Sequence, residues 1–173
     1  MSDPIRYAWG QSSLGDFVAA VSARGLVAFE FGDDRAALID RLRLRFADTS
    51  LHQDDEALSE TIGKLASVID HPDRDHGLTL DARGTDYEKR VWNALREIPA
   101  GQTVSYGDIA AKLGAPREAR EVAEACAANS IAILIPCHRV VKKDGSLSGY
   151  RWGFKRKRAL LTREHKASAF QLG

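Results

Sequence analysis

Residues 85–128 read TDYEKRVWNALREIPAGQTVSYGDIAAKLGAPREAREVAEACAA, and this segment determines the fold of the second half of the chain. Thr85, followed three residues later by Glu88, forms a capping-box pattern that predicts the start of a helix. A proline and a glycine within residues 99–101 predict where that helix ends. The apolar residues that recur between these limits at helical spacing are Val91, Trp92, Leu95 and Ile98.

Two shorter helices follow in the same segment and predict a helix-turn-helix. The first covers residues 106–113, and the second covers residues 117–128. The intervening Gly114-Ala115-Pro116 favours a turn, because glycine and proline suit turn conformations. Such helix pairs are typical of DNA-binding proteins, although many similar pairs bind nothing.

The first half of the chain alternates short apolar stretches with turn residues, which is typical of β-strands. We expect an α+β fold in which residues 1–83 form a small lobe with an antiparallel sheet and helices. Residues 84–173 are expected to form a second, mainly helical lobe. The predicted elements of the first lobe are strands at 5–9, 14–21, 25–31 and 78–80, and helices at 33–46 and 55–69.

Cys137 lies in the sequence IPCHRVV, residues 135–141, and is the candidate nucleophile. A cysteine reacts as its thiolate, which a neighbouring base, a cation or a helix N-terminus stabilises. The preceding proline suits a helix start, and His138 and Arg139 offer a base and a positive charge. The alternative is a buried, inert cysteine, which is how we interpret Cys126. Two cysteines are too few for a disulfide framework and form no zinc-binding motif.

Charge is distributed unevenly along the chain, although the net charge is only +1. Residues 1–84 carry 9 Lys/Arg against 15 Asp/Glu, whereas residues 137–173 carry 10 against 2. This asymmetry predicts that the C-terminal part faces an anionic partner. No apolar run approaches the roughly 20 residues of a membrane span, and residues 1–4 do not begin a secretion signal. We therefore expect a cytoplasmic protein that does not contact membranes.

The sequence Pro136-Cys137-His138-Arg139-Val140 resembles the signature of the O6-alkylguanine-DNA alkyltransferase family, and the similarity extends over residues 84–164. The segment 91–106 is similar to the family's stretch before its helix-turn-helix. Cys126-Ala127-Ala128-Asn129 and residues 144–153, DGSLSGYRWG, resemble the Ada-type bacterial branch. The resemblance implies a variable, RNase H-like first lobe and a helix-turn-helix of winged-helix type in the second.

The resemblance implies DNA repair by direct reversal. An alkyl group, usually methyl, on O6 of guanine in double-stranded DNA, or on O4 of thymine, is transferred irreversibly to Cys137. His138 resembles the residue that takes the thiol proton through a water molecule, and Glu164 the residue that orients this histidine. Asn129 resembles the residue that braces the turn beside the site. Neither a metal nor a cofactor is implied, and each molecule acts once because the thioether is stable.

The resemblance also implies how the DNA is held. A helix-turn-helix enters the minor groove while the damaged nucleotide is flipped out of the stack. Arg120 corresponds to the arginine that replaces the extruded base, Tyr106 to the tyrosine that crowds the target phosphate, and Tyr150 to the aromatic residue that contacts the flipped base. The residues predicted to contact the substrate or the DNA are Tyr106, Arg120, Arg139, Val140, Tyr150 and Arg151.

Taken singly, several of these residues have ordinary alternatives. Tyr106 is equally compatible with a buried aromatic residue at the lobe boundary. Asn129 is compatible with a helix C-cap, and Glu164 with a solvated helix position. Their joint spacing relative to Cys137 favours the functional interpretation.

Two glutamates in the second helix of the motif depart from the family's pattern. Glu121 and Glu124 occupy positions where small, uncharged residues are usual, and carboxylates repel the phosphates that supply most nucleic-acid affinity. Three hypotheses remain open. The glutamates turn away from DNA or pair with Arg117 and Arg120; the protein binds DNA poorly but keeps a reactive cysteine; or it is adapted to free-base substrates. Trp152 replaces a glycine of some members and is predicted by its bulk to restrict large alkyl groups.

Two other classes of protein remain as alternatives. A lesion-binding protein would flip alkylguanine without transferring the group, and Cys137 argues against it. A helix-turn-helix repressor would bind one DNA sequence whether or not the cysteine were present. The two cysteines cannot supply the zinc domain of Ada-type regulators, so we do not expect transcriptional regulation. We expect the protein to be a monomer.

Overall fold

The structure is a computed structural model that describes residues 4–74 and 76–172. Residues 1–3, which carry most of the prediction about a secretion signal, lie outside this range. None of the described helices is both long and apolar enough to cross a membrane.

Four strands form one sheet in the order β3-β2-β1-β4. β1 (Ile5–Gly10), β2 (Phe17–Val21) and β3 (Leu26–Phe31) are antiparallel neighbours, as the apolar pattern predicts. β4 (Leu51–Gln53) pairs with β1 in parallel, which the sequence did not indicate, because this strand has only one apolar residue. The strand predicted at 78–80 is reduced to a single bridge between Leu26 and Leu80.

Two helices complete the first lobe. α1 (Arg35–Arg45) begins after Asp34, whose side chain accepts a hydrogen bond from the Ala37 backbone N–H. It buries Leu38 and Leu42 against one face of the sheet. α2 (Ser59–Asp70) begins four residues later than predicted, because the preceding residues form a turn in which Asp54 accepts from the backbone of Ala57.

The second lobe contains the predicted helix-turn-helix. α3 (Asp86–Leu95) starts at the capping box of Thr85 and Glu88, with both hydrogen bonds present. α4 (Tyr106–Lys112) and α5 (Ala119–Ala127) are the two helices of the motif. The remaining elements are a parallel pair of short strands, β5 (Val104–Ser105) and β6 (Val140–Val141), a 3₁₀ turn (Cys137–Arg139), and the last helix α6 (Phe154–Leu172).

The larger hydrophobic core joins residues from both lobes, including Phe29 of the sheet and Trp92 of α3. Strand β3 also supports the segment before the cysteine. The Phe29 backbone N–H donates to Ser130 O at 2.8 Å, and its carbonyl accepts from the Ala132 N–H at 2.9 Å. Within that segment Ile133 has φ 66°, an unusual conformation for a β-branched residue. The apolar segment 131–136 therefore forms a series of tight, largely buried turns held by the first lobe.

Candidate active site

Cys137 lines an open cavity of about 440 Å³, which is in the size range of small-molecule sites. Helix α5 forms one wall with the small side chains of Ala123 and Ala127, and residues 148–151 form the other. Alanines at these positions leave room for a planar ring between the helix and the loop. The second cysteine, Cys126, lines the same cavity, and both cysteines are free.

Asn129 holds the turn that presents the cysteine. Its Oδ1 accepts from the Ile131 backbone N–H at 2.9 Å, and its Nδ2 donates to Ile135 O at 3.1 Å. The same Nδ2 lies 3.3 Å from the sulfur of Cys137. The C-cap residue of α5 is Ala128, so Asn129 is not the helix cap. Its amide side chain instead contacts the turn and the sulfur of Cys137.

His138 and Glu164 form a buried pair next to the cysteine. His138 Nε2 is hydrogen-bonded to Glu164 Oε1, and both side chains are inaccessible to solvent. The other ring nitrogen, Nδ1, is buried and has no hydrogen-bond partner among the described residues. Burial lowers the pKa of His138, although the Glu164 carboxylate acts in the opposite direction. The imidazole is therefore neutral at pH 7 and has one nitrogen available to accept a proton.

Burial also governs the nucleophile. It raises the pKa of the Cys137 thiol to about 11, while the hydrogen bond from Asn129 and the positive charge of Lys157 act against this rise. The resting site therefore holds a thiol and lacks the stabilised thiolate that the sequence suggested. The 3₁₀ turn is too short to supply the dipole of a full helix. The proton must leave during the reaction.

The structure does not bring Arg139 to the cavity, which corrects its prediction as a substrate or DNA contact. Its Nε donates to Glu164 Oε2 at 2.8 Å, and its two terminal nitrogens donate to Ile98 O at 2.7 Å and Pro72 O at 3.2 Å. These bonds occupy the guanidinium inside the protein. Arg139 thus joins the 3₁₀ turn, α6 and the first lobe.

A hydroxyl network ending on a buried lysine lies at the side of the cavity. Tyr106 Oη and Ser148 Oγ are 2.5 Å apart, and both residues line the cavity. Lys157 Nζ donates to Ser148 Oγ at 2.8 Å and to Val140 O at 2.7 Å. Val140, predicted as a substrate contact, does not line the cavity, and its carbonyl accepts this hydrogen bond from Lys157. Lys157 is not among the residues predicted from the sequence, although it shares one face of α6 with buried Leu160 and Glu164.

Tyr150 lies in the cavity wall, and its buried hydroxyl makes no hydrogen bond within the described part of the chain. Trp152 packs against it edge to face, with ring centroids 5.3 Å apart. Trp152 is not among the residues that line the cavity, so its effect on alkyl size stays a prediction. Any influence of its bulk reaches the cavity through Tyr150.

Arg120 projects from α5 and is largely exposed, at 87% of its side chain. Its Nε lies 3.6 Å from Glu124 Oε1, one helical turn along. Glu121 and Glu124 line a separate groove beside Tyr87, on a different side of α5 from Ala123 and Ala127. Of the three hypotheses about the two glutamates, the structure supports pairing with Arg120, but only for Glu124. Neither glutamate lines the cavity that holds Cys137.

The second helix of a helix-turn-helix thus forms a wall of the cavity that holds a cysteine. This arrangement defines a class of protein in which a helix-turn-helix is combined with a cysteine in the wall of a cavity. Residues 86–166 match the family described as 6-O-methylguanine DNA methyltransferase, DNA binding domain. The chain belongs to the O6-methylguanine DNA methyltransferase family, and the family and α+β fold predicted from the sequence are confirmed.

Relatives and solved structures agree with this assignment. The chain is 46% identical over 160 residues to the bifunctional transcriptional activator/DNA repair enzyme Ada of Escherichia coli (strain K12), covering 92% of this chain but only 45% of that protein. It is 40% identical to the inducible methylated-DNA–protein-cysteine methyltransferase of Bacillus subtilis (strain 168), covering 76% of this chain and 74% of that protein. It is similar to the crystal structure of Mycobacterium tuberculosis OGT in complex with DNA, with a TM-score of 0.79, 36% identity and 93% of each chain covered.

Proposed function

We propose that this protein repairs double-stranded DNA by transferring the O6-alkyl group of a guanine, irreversibly and once per molecule, to Cys137. The observation that carries the proposal is the position of the Cys137 sulfur in the wall of a base-sized cavity beside α5. The relatives named methylated-DNA–protein-cysteine methyltransferases support the same reaction. O4-alkylthymine presents a similar alkyl ether and is a second substrate of this proposal.

The proposed step is a displacement at the alkyl carbon. His138 Nδ1 accepts the thiol proton through a water molecule, and Glu164 stabilises the imidazolium that forms. The sulfur forms a bond to the alkyl carbon as the bond from that carbon to guanine O6 breaks. The bonding electrons remain on guanine, which takes up one proton, so the products are the thioether and neutral guanine.

The hydroxyl network would stabilise the leaving base. Negative charge develops on guanine as the carbon–oxygen bond breaks, and donors that already point into the cavity lower the energy of that state. Burial raises the pKa of Tyr106, so its hydroxyl keeps a proton to donate. Ser148 connects this hydroxyl to the ammonium group of Lys157.

Access to duplex DNA would depend on α5. Its exposed Arg120, held only by the surface pair with Glu124, would fill the space that the flipped nucleotide leaves in the stack. We place the reaction in the cytoplasm and assign it to a monomer.

Mass measurement on duplexes that contain O6-methylguanine tests the proposal. The protein should gain one methyl group on the peptide that contains Cys137, and a Cys137→Ala variant should gain none. Cys126→Ala is the matched control, because this cysteine lines the same cavity and burial raises its pKa further than that of Cys137. This variant should still accept the methyl group. Tight binding of the lesion without any gain of mass would support the lesion-binding alternative instead.

A further inference from the structure

Glu30 is a buried carboxylate near the end of an otherwise apolar strand. It lies on β3, and only 2% of the residue is exposed. A charge in this position is costly unless a partner compensates it. The partner is Arg151, 121 residues away: its Nε donates to Glu30 Oε1 at 3.0 Å, and its Nη2 lies 2.9 Å from the same oxygen.

The rest of the Arg151 guanidinium bridges the cavity. Arg151 belongs to the wall formed by residues 148–151, and its Nη1 donates to Ala127 O at 2.9 Å on the opposite wall. Ala127 ends α5, where the helix dipole favours a positive group near the carbonyls. The Arg151 side chain therefore reaches from the loop 148–151 to α5, and Glu30 of the first lobe binds the same guanidinium.

An arginine without such an anchor has many rotamers and would be drawn towards DNA phosphates. The carboxylate of Glu30 both orders the side chain and neutralises its charge. Arg151 is consequently a fixed part of the cavity wall, and its guanidinium is already occupied by protein groups.

We propose that Glu30 is a positioning residue that acts through Arg151 to set the width of the alkyl cavity and so the size of the alkyl group that the protein accepts. This inference rests on the proposed transfer to Cys137. The first lobe then takes part in substrate selection through one side chain.

The test compares transfer rates from free O6-benzylguanine and free O6-methylguanine, so that DNA binding does not contribute. Glu30→Gln keeps the size of the side chain but removes its charge, and should release Arg151 from α5. The benzyl-to-methyl ratio of rate constants should rise about tenfold, since fit within a pocket discriminates by about 10- to 200-fold per methylene group. Arg151→Lys should give a similar rise, because one ammonium cannot reach both Glu30 and Ala127.

Two further variants separate positioning from stability. Val27→Ala removes a buried side chain from the same strand, so it should lower the free energy of unfolding while leaving the ratio unchanged. In an Arg151→Ala background, Glu30→Gln should have no additional effect on the ratio, because the side chain through which it acts is gone.

A ratio that stays within twofold of the parent protein in both Glu30→Gln and Arg151→Lys overturns the inference. The inference is also overturned if Glu30→Gln changes the benzyl-to-methyl ratio equally in the parent protein and in the Arg151→Ala background. If the parent protein transfers neither group, and no methyl group from a duplex, it is the proposed function that fails. The two failures are therefore distinguishable.

Discussion

At the scale of single residues, burial decides the protonation states of the site. Cys137 keeps its proton because burial raises the pKa of its thiol to about 11, and His138 is neutral because burial lowers its pKa. A neutral thiol near a neutral imidazole is the starting state for general-base catalysis. The transfer rate should therefore follow the titration of the histidine.

This assignment predicts the pH dependence of alkyl transfer. The folded pKa of His138 is below its ordinary 6.5, so the rate from a free-base substrate should be level at neutral pH and fall only as the pH drops below that value. The measurement is the single-turnover rate from about pH 5 to 9. A His138→Gln variant should lose roughly 10²- to 10⁴-fold in rate along with the acid-side decline. A rate that climbs tenfold per pH unit towards pH 9 would instead identify a free thiolate as the attacking species.

At the scale of elements, α5 carries small residues, a cation and two carboxylates within nine residues. Small residues on one face form the wall of the cavity, while Arg120 projects from the helix into solvent. Glu121 and Glu124 lie along a groove beside Tyr87. The helix therefore presents both a cation suited to DNA and carboxylates that oppose it.

Arg120→Ala is expected to slow transfer from duplex DNA much more than transfer from free O6-alkylguanine, because only the duplex needs a base replaced. The measurement is the ratio of the two rate constants. Arg117→Ala is the control, since it removes one exposed positive charge next to the same helix. Equal losses on both substrates would count against insertion of Arg120 into the stack.

Replacement of both Glu121 and Glu124 by alanine is expected to tighten duplex binding a few-fold. The change removes repulsion from phosphates and frees Arg120 from a pair worth at most about 1 kcal/mol. Titration of a labelled duplex at several salt concentrations measures the effect. Glu60→Ala is the matched control, because Glu60 belongs to a similar i,i+4 pair with Lys64 on α2. Unchanged affinity would mean that both carboxylates stay clear of the DNA.

At the scale of the whole molecule, Glu164 connects parts of the chain that are distant in sequence. It holds His138 directly, and through Arg139 it is linked to Ile98 O in the second lobe and Pro72 O in the first. The orientation of His138 thus depends on the same contacts that join the lobes. A substitution that removes the Glu164 carboxylate should therefore lower both the free energy of unfolding and the transfer rate.

Glu164→Ala should lower the free energy of unfolding by about 3–5 kcal/mol, because it leaves the buried charge of Arg139 without its partner. Urea denaturation measures this loss. Glu164→Gln keeps the size of the side chain and some hydrogen bonds, so it should cost less stability. A loss below about 1 kcal/mol for Glu164→Ala would show that Arg139 finds compensation elsewhere.

Features that depend on neighbouring residues followed from the sequence alone. The capping box at Thr85, the helix-turn-helix and the motif around Cys137 are local patterns, so short-range chemistry and spacing suffice to predict them. The family resemblance implied Asn129 as the residue that braces the turn beside the site, and its Nδ2 lies 3.3 Å from the sulfur of Cys137, eight positions further along the chain.

Features that depend on long-range packing were decided only by the tertiary structure. Which charged groups turn inwards is determined by elements far apart in the chain, as Glu30 with Arg151, the burial of Arg139 and the inward face of α6 with Lys157 illustrate. From the sequence alone, charged residues such as these are expected at the surface. Only the packed fold shows which groups they contact. The protonation state of Cys137 was also decided by the tertiary structure, because desolvation of the sulfur depends on all the groups that surround it.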